Sequence, residues 1–171
     1  MQQSLVLTLL GKDRPGLVES VARLISDYGG NWMESRLCRL GGQFAGIIHL
    51  TLPAESLSAW KAALQDLEDN GLSFIIADDD DAPVIPQARK AVFEILGQDQ
   101  PGIVQKLSAE LAKHSVNVSV LESECVSAPW SGEPMFTFKA GVEIPETCDL
   151  NILRQDLEKI AADLMVDISF G

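Results

Sequence analysis

The sequence predicts an α+β protein of two tandem βαββαβ units, each a split β-α-β sandwich of four antiparallel strands with two helices on one face. Three observations predict it. An eight-residue motif occurs twice, as Gly11-Lys12-Asp13-Arg14-Pro15-Gly16-Leu17-Val18 and as Gly97-Gln98-Asp99-Gln100-Pro101-Gly102-Ile103-Val104, at an offset of 86. After each copy, helical and alternating apolar spacings follow one another in the same order. Between the copies, Asp78-Asp79-Asp80-Asp81-Ala82-Pro83-Val84-Ile85-Pro86 joins four adjacent acids to two prolines, a composition that resists both helix and sheet. The expected organisation is a first domain over 1–80, a linker over 81–87 and a second domain over 88–171.

Each element has its own signal. The apolar run Leu5–Leu10 opens a strand over 3–10. Val18, Val21, Ile25 and Tyr28 give a helical face over 15–29, matched by Val104, Leu107, Leu111 and His114 over 101–114. Strands follow over 31–41 and 43–52, the second alternating Phe44, Gly46, Ile48, Leu50 and Leu52. Leu57, Trp60, Leu64 and Leu67 mark a helix over 54–70, and Leu72, Phe74 and Ile76 a strand over 72–77. The second half reads alike, with strands over 89–96, 117–127, 135–144 and 165–170 and helices over 101–114 and 147–163. There the offset grows to 92, so six extra residues fall in the turn-rich segment 127–134.

Composition narrows the function. Thirteen Lys and Arg stand against 25 Asp and Glu, a formal charge of −12, and each half carries −6. Such a surface repels phosphate backbones and anionic membranes, so a small ligand or a protein partner is expected and direct nucleic-acid or membrane binding is not. No apolar run reaches the length of a membrane helix, and no secretory signal is apparent. Cys38, Cys125 and Cys148 are odd in number and widely spaced, which points to a reducing, cytoplasmic setting. Phosphate-loop, nucleophile-elbow and zinc-protease motifs are absent, so no enzyme activity, catalytic residue, metal or cofactor is expected.

The repeated Asp-x-Pro-Gly joins the first strand of each half to its helix. Proline fits the first helical turn, Asp13 and Asp99 can accept from the first helical N–H groups, and Gly16 and Gly102 leave room for a ligand against the backbone. Bare N–H groups at a helix start attract a carboxylate. Asn31 and Asn117, which begin the next strand, carry both donors and an acceptor. An amino acid needs that mixture, although the same motif is also a competent strand-to-helix turn by itself.

These patterns resemble those of ACT domains, small ferredoxin-like βαββαβ modules that bind amino acids and regulate metabolic proteins. Two such modules, with the segment Ala128-Pro129-Trp130-Ser131-Gly132-Glu133-Pro134-Met135-Phe136, resemble the glycine cleavage system transcriptional repressor family. The resemblance covers nearly the whole chain. It implies one amino-acid site at Asp13, Arg14, Gly16, Leu17 and Asn31, and a second at Asp99, Gln100, Gly102, Ile103 and Asn117. In ACT domains such sites usually form between two modules, so pairing of the halves or of chains matters, and a homo-oligomer is expected. With Gln100 in place of Arg14, the two sites need not have equal affinity. The implied function is a regulator that senses glycine or a similar amino acid and acts through a protein such as a transcription activator, ligand binding shifting the packing of the halves.

Other features invite other readings. Trp130, an aromatic in a polar loop, could anchor a protein partner or fold back on its own domain. His114 is expected to pack at its helix end, and His49 to lie on a second, fairly apolar strand face. Cys38 and His49, on neighbouring strands, lack the third member and oxyanion hole of a nucleophilic site. The rival functions are an interaction module that ignores amino acids, a stand-alone regulatory subunit of an amino-acid metabolic enzyme, and an enzyme built on Cys38, His49 or the acidic run.

Overall fold

A computed structural model of the chain describes residues 1–79, 88–128 and 132–171. The expected linker and Trp130 lie outside the described residues. The chain divides into two compact units, Met1–Pro83 and Val84–Gly171.

The first unit runs β1 (Gln2–Lys12), α1 (Leu17–Asp27), β2 (Asn31–Leu40), β3 (Gln43–Pro53), a 3-10 turn (Ala54–Ser56), α2 (Leu57–Asp69) and β4 (Leu72–Asp78). The second runs β5 (Arg89–Gln98), α3 (Ile103–Lys113), β6 (Asn117–Ser127), β7 (Pro134–Ile144), α4 (Leu150–Asp163) and β8 (Val166–Phe170). Strand orders are β2-β3-β1-β4 and β6-β7-β5-β8, every pair antiparallel. This is the split β-α-β arrangement that the element order predicts.

Period-two alternation turns one face of each sheet toward the helices. In the first unit Leu5, Leu7 and Leu9 of β1 and Ile48, Leu50 and Leu52 of β3 are buried with Leu17, Val21 and Ile25 of α1 and Trp60 and Leu64 of α2. In the second, Phe93, Ile95, Phe138, Ala140 and Val142 face Ile103, Leu107, Leu111, Leu153 and Leu157. Burying each large side chain is worth about 1.5–3 kcal/mol. The uncovered sheet face of the first unit leaves Leu10, Ile47 and Ile75 exposed.

Two sequence expectations about the first helix of each unit need correction. Both helices begin two residues later than the periodicity predicts, at Leu17 and Ile103. Their inward faces therefore start with Leu17 and Ile103, while Val18 and Val104 point to solvent. The cause is local. Pro15 and Pro101 hold the preceding residue extended, and the following glycine sits at φ 87° in one unit and 93° in the other. Proline followed by glycine in that conformation makes a type II turn, which must close before the helix starts.

Candidate functional site

The repeated turn is built alike in both units. The Asp13 amide donates to Gly42 O at 3.0 Å, and the Asp99 amide to Pro134 O at 3.1 Å, tying each turn to the neighbouring strand or its connection. Gly16 and Gly102 have open space where a side chain would stand, so their positive φ, not close packing, requires glycine. The first glycine of the motif has the opposite reason. A Cβ on Gly11 would meet Leu72 Cδ2 at 2.6 Å, and one on Gly97 would meet Val166 Cβ at 2.7 Å, where the paired strands cross closely.

Asp13 and Asp99 do not cap the helices. Gly16 and Gly102 occupy the cap positions, and no side-chain cap bond is made there. The first helical backbone bonds run from Ser20 to Gly16 O (2.9 Å) and from Lys106 to Gly102 O (3.0 Å). The amides of residues 17–19 and 103–105 stand ahead of them, the donors that a helix start leaves without a helical partner. The side chains of Leu17 and Ile103 are core, so only their backbone can serve a ligand. In the first unit these groups edge an open depression of about 490 Å³ lined by Asp13, Arg14, Gly16, Leu17, Val18 and Phe44, with Glu19 at its rim.

Arg14 and Gln100 take up the same structural task. Arg14 donates from Nη2 to Asn70 O at 3.4 Å, and Gln100 donates from Nε2 to Leu164 O. Asn70 and Leu164 close the second helix of their units. Each side chain thus clasps a carbonyl that the helix end leaves without a helical donor. The Arg-to-Gln difference preserves that contact.

Two residues absent from the sequence-derived sites sit over the Asp. Arg39 Nε lies 2.9 Å from Asp13 Oδ2. Its counterpart in the second unit is Cys125, whose thiol is pushed up from its usual range, first by desolvation and then by the charge of, and a hydrogen bond with, Asp99. Arg39 and Cys125 pair with Phe44 and Phe136 in the same register. The signal was in the sequence, since 39 and 125 differ by the repeat offset.

Asn31 and Asn117 lie elsewhere. Asn31 pairs with Thr51, which pairs with Ser4, eight residues along β1 from Lys12 and about 26 Å from it. Asn117 pairs with Glu143 opposite Lys90, equally far from Gln98. The reason is topological: the helix runs back along the sheet before the next strand starts. No single unit brings its turn and its asparagine together. Asn31 Nδ2 contacts Met33 Sδ at 3.0 Å, and Asn117 Nδ2 donates to Glu143 at 3.3 Å.

The remaining titratable groups are placed as follows. Cys38 pairs with Ala45 and His49 with Glu34, several residues apart, so they do not meet. His49 Nε2 is 2.7 Å from Ser4 Oγ and 3.1 Å from Asp79 Oδ2. Both partners approach the same nitrogen, which rules out a serine–histidine–aspartate relay through the ring. His114, expected to pack at its helix end, is part-buried there and hydrogen-bonds Asp156 of α4, Nε2 to Oδ2, at 3.0 Å. No helix among the described residues is long and apolar enough to cross a membrane.

Comparison with known proteins agrees with this architecture. The chain is 25% identical over 165 residues to the glycine cleavage system transcriptional repressor of Escherichia coli (strain K12), covering 95% of this chain and 86% of that one. The repressor of the same name from Shigella flexneri aligns with the same identity and coverage. The crystal structure of an unknown protein from Galdieria sulphuraria superposes with a TM-score of 0.84 at 28% identity, covering 99% of this chain and 98% of that one. The ACT domain family model matches residues 3–75 and again 90–171, and with both units accounted for, the chain belongs to the ACT domain family.

Proposed function

We propose that the chain is an amino-acid-sensing regulatory protein that acts through a protein partner. Glycine is the first ligand to test, and a transcription activator of glycine-cleavage genes the first partner, because the Escherichia coli relative is a glycine cleavage system repressor. The observation that carries the reading is the twice-built turn: a helix start with unbonded amides beside an aspartate. The amides suit the carboxylate of an amino acid, and the Asp carboxylate suits its ammonium. A site that also uses Asn31 or Asn117 must draw turn and asparagine from two modules.

In this reading the first unit holds the stronger site. Arg39 adds a cation beside its turn, where the second unit has the neutral thiol of Cys125. Calorimetric titration of the full chain against the twenty amino acids tests the proposal. Saturable binding of a small amino acid is expected, weakened about tenfold or more by Arg39→Ala, since charge-assisted bonds contribute about 1.5–3 kcal/mol. No saturable heat and no thermal stabilisation from any of the twenty would refute sensing.

One observation favours a second reading, an interaction module indifferent to amino acids. Arg14 and Gln100 already serve helix ends, and Asp13 already holds Arg39. That reading expects normal partner capture by Asp13→Ala/Asp99→Ala protein, with or without amino acids.

A further inference from the structure

At the edge of the second unit's core, between α3 and α4, three polar side chains come together. Glu110 of α3 and His114, the residue that closes that helix, stand one turn apart, and Asp156 of α4 completes the group. His114 Nε2 lies 3.0 Å from Asp156 Oδ2 and 3.6 Å from Glu110 Oε1. One ligand-capable atom from each of the three lies within 4.8 Å of the others. Glu110 is the one buried charged side chain among the described residues, at 7% exposure.

The first unit is an internal control. At the offset of 86 Leu24 and Tyr28 match Glu110 and His114, and with Trp60 and Leu64 of α2 matching Leu153 and Leu157 of α4, an offset of 93, Ala63 matches Asp156; Leu24 and Tyr28 pack against that unit's core. The fold therefore builds this helix pair with no charged side chain at these three positions. Apolar replacement of a buried charged group is commonly neutral or stabilising, so stability alone gives no reason for the second unit to hold a carboxylate here.

We propose that Glu110, His114 and Asp156 form a binding site for a divalent cation of the zinc class. One imidazole nitrogen with two carboxylate oxygens is a donor set that zinc takes, whereas calcium and magnesium call for larger shells made of oxygen. Zinc holds such ligands at about 2.0–2.2 Å, which sets tetrahedral neighbours about 3.4 Å apart. The observed 3.0 and 3.6 Å bracket that spacing. Lys113 Nζ bonds Glu110 through Oε2 at 2.6 Å, while Oε1 faces His114. The lysine thus acts as an outer partner that orients a ligating carboxylate. Lys106, Lys113, Lys159 and Asp163 line the cleft beside Glu110 and Asp156; the three lysines oppose a cation and Asp163 offsets part of that field. Three protein ligands leave a fourth position for water or an outside donor.

Titration of the full chain with Zn²⁺ by calorimetry, and with Co²⁺ by visible absorption, tests the site. The wild type is expected to bind one equivalent and to give a tetrahedral cobalt spectrum. Asp156→Asn is expected to bind at least tenfold more weakly. The variant Glu110→Leu/His114→Tyr/Asp156→Ala, which carries the first unit's residues, is expected to keep its circular dichroism and lose the spectrum. These variants also separate the site from Cys38, Cys125 and Cys148, which they leave intact. Absence of saturable binding by the wild type overturns the proposal, as does undiminished binding by the triple variant. Should the triple variant misfold, unchanged affinity in Asp156→Asn overturns it alone.

Discussion

At the turn that opens α1 and α3, four residues divide the work. Proline fixes the entry and glycine supplies the positive φ, so neither needs a ligand to explain it. The residue before proline clasps the far helix end, and the aspartate faces a neighbouring strand. Only the aspartate and the helix-start amides are left for chemistry. Besides Arg14 against Gln100, the two units differ at the residue that meets the aspartate, Arg39 against Cys125. Desolvation and Asp99 hold the Cys125 thiol above its usual range, which lowers its thiolate fraction at neutral pH. Cys125 is therefore expected to react with iodoacetamide more slowly than an unperturbed thiol despite its exposure, and Asp99→Asn is expected to speed it. Peptide mapping of the alkylated chain measures both.

Among helices, α4 is built differently from α1 and α3. Asp149 accepts from the amides of Asn151 at 2.9 Å and Ile152 at 3.3 Å, a side-chain N-cap. Asp149→Ala is expected to cost about 1 kcal/mol, read as a lower urea midpoint for the second unit. The strands carry a matching irregularity. β2 slips register between Trp32 and Glu34, and β6 between Val118 and Val120, at repeat-equivalent places. Element types were legible because each buried face recurs at period 2 or near 3.6 in both halves. Helix starts were not, because apolar spacing ignores the Pro-Gly turn that delays Leu17 and Ile103.

At the scale of the whole molecule, the described residues form two cores that share no residue. Leu107, fully buried on α3, is a probe of that separation. Leu107→Ala is expected to cost about 2–5 kcal/mol. Amide exchange should quicken in β5 and β7 and stay unchanged in β1 and β3; equal loss of protection in both units would show that the cores are coupled. By itself the sequence determined the duplication, the βαββαβ order, the sheet faces and the turn motif, since all are local or repeat at a fixed offset. Only the tertiary structure showed that Asn31 and Asn117 lie a strand's length from their own turns. It alone placed Arg39 and Cys125 over the aspartates and drew Glu110, His114 and Asp156 together. Those contacts depend on strand pairing and on how two helices cross one sheet, which no spacing along the chain records.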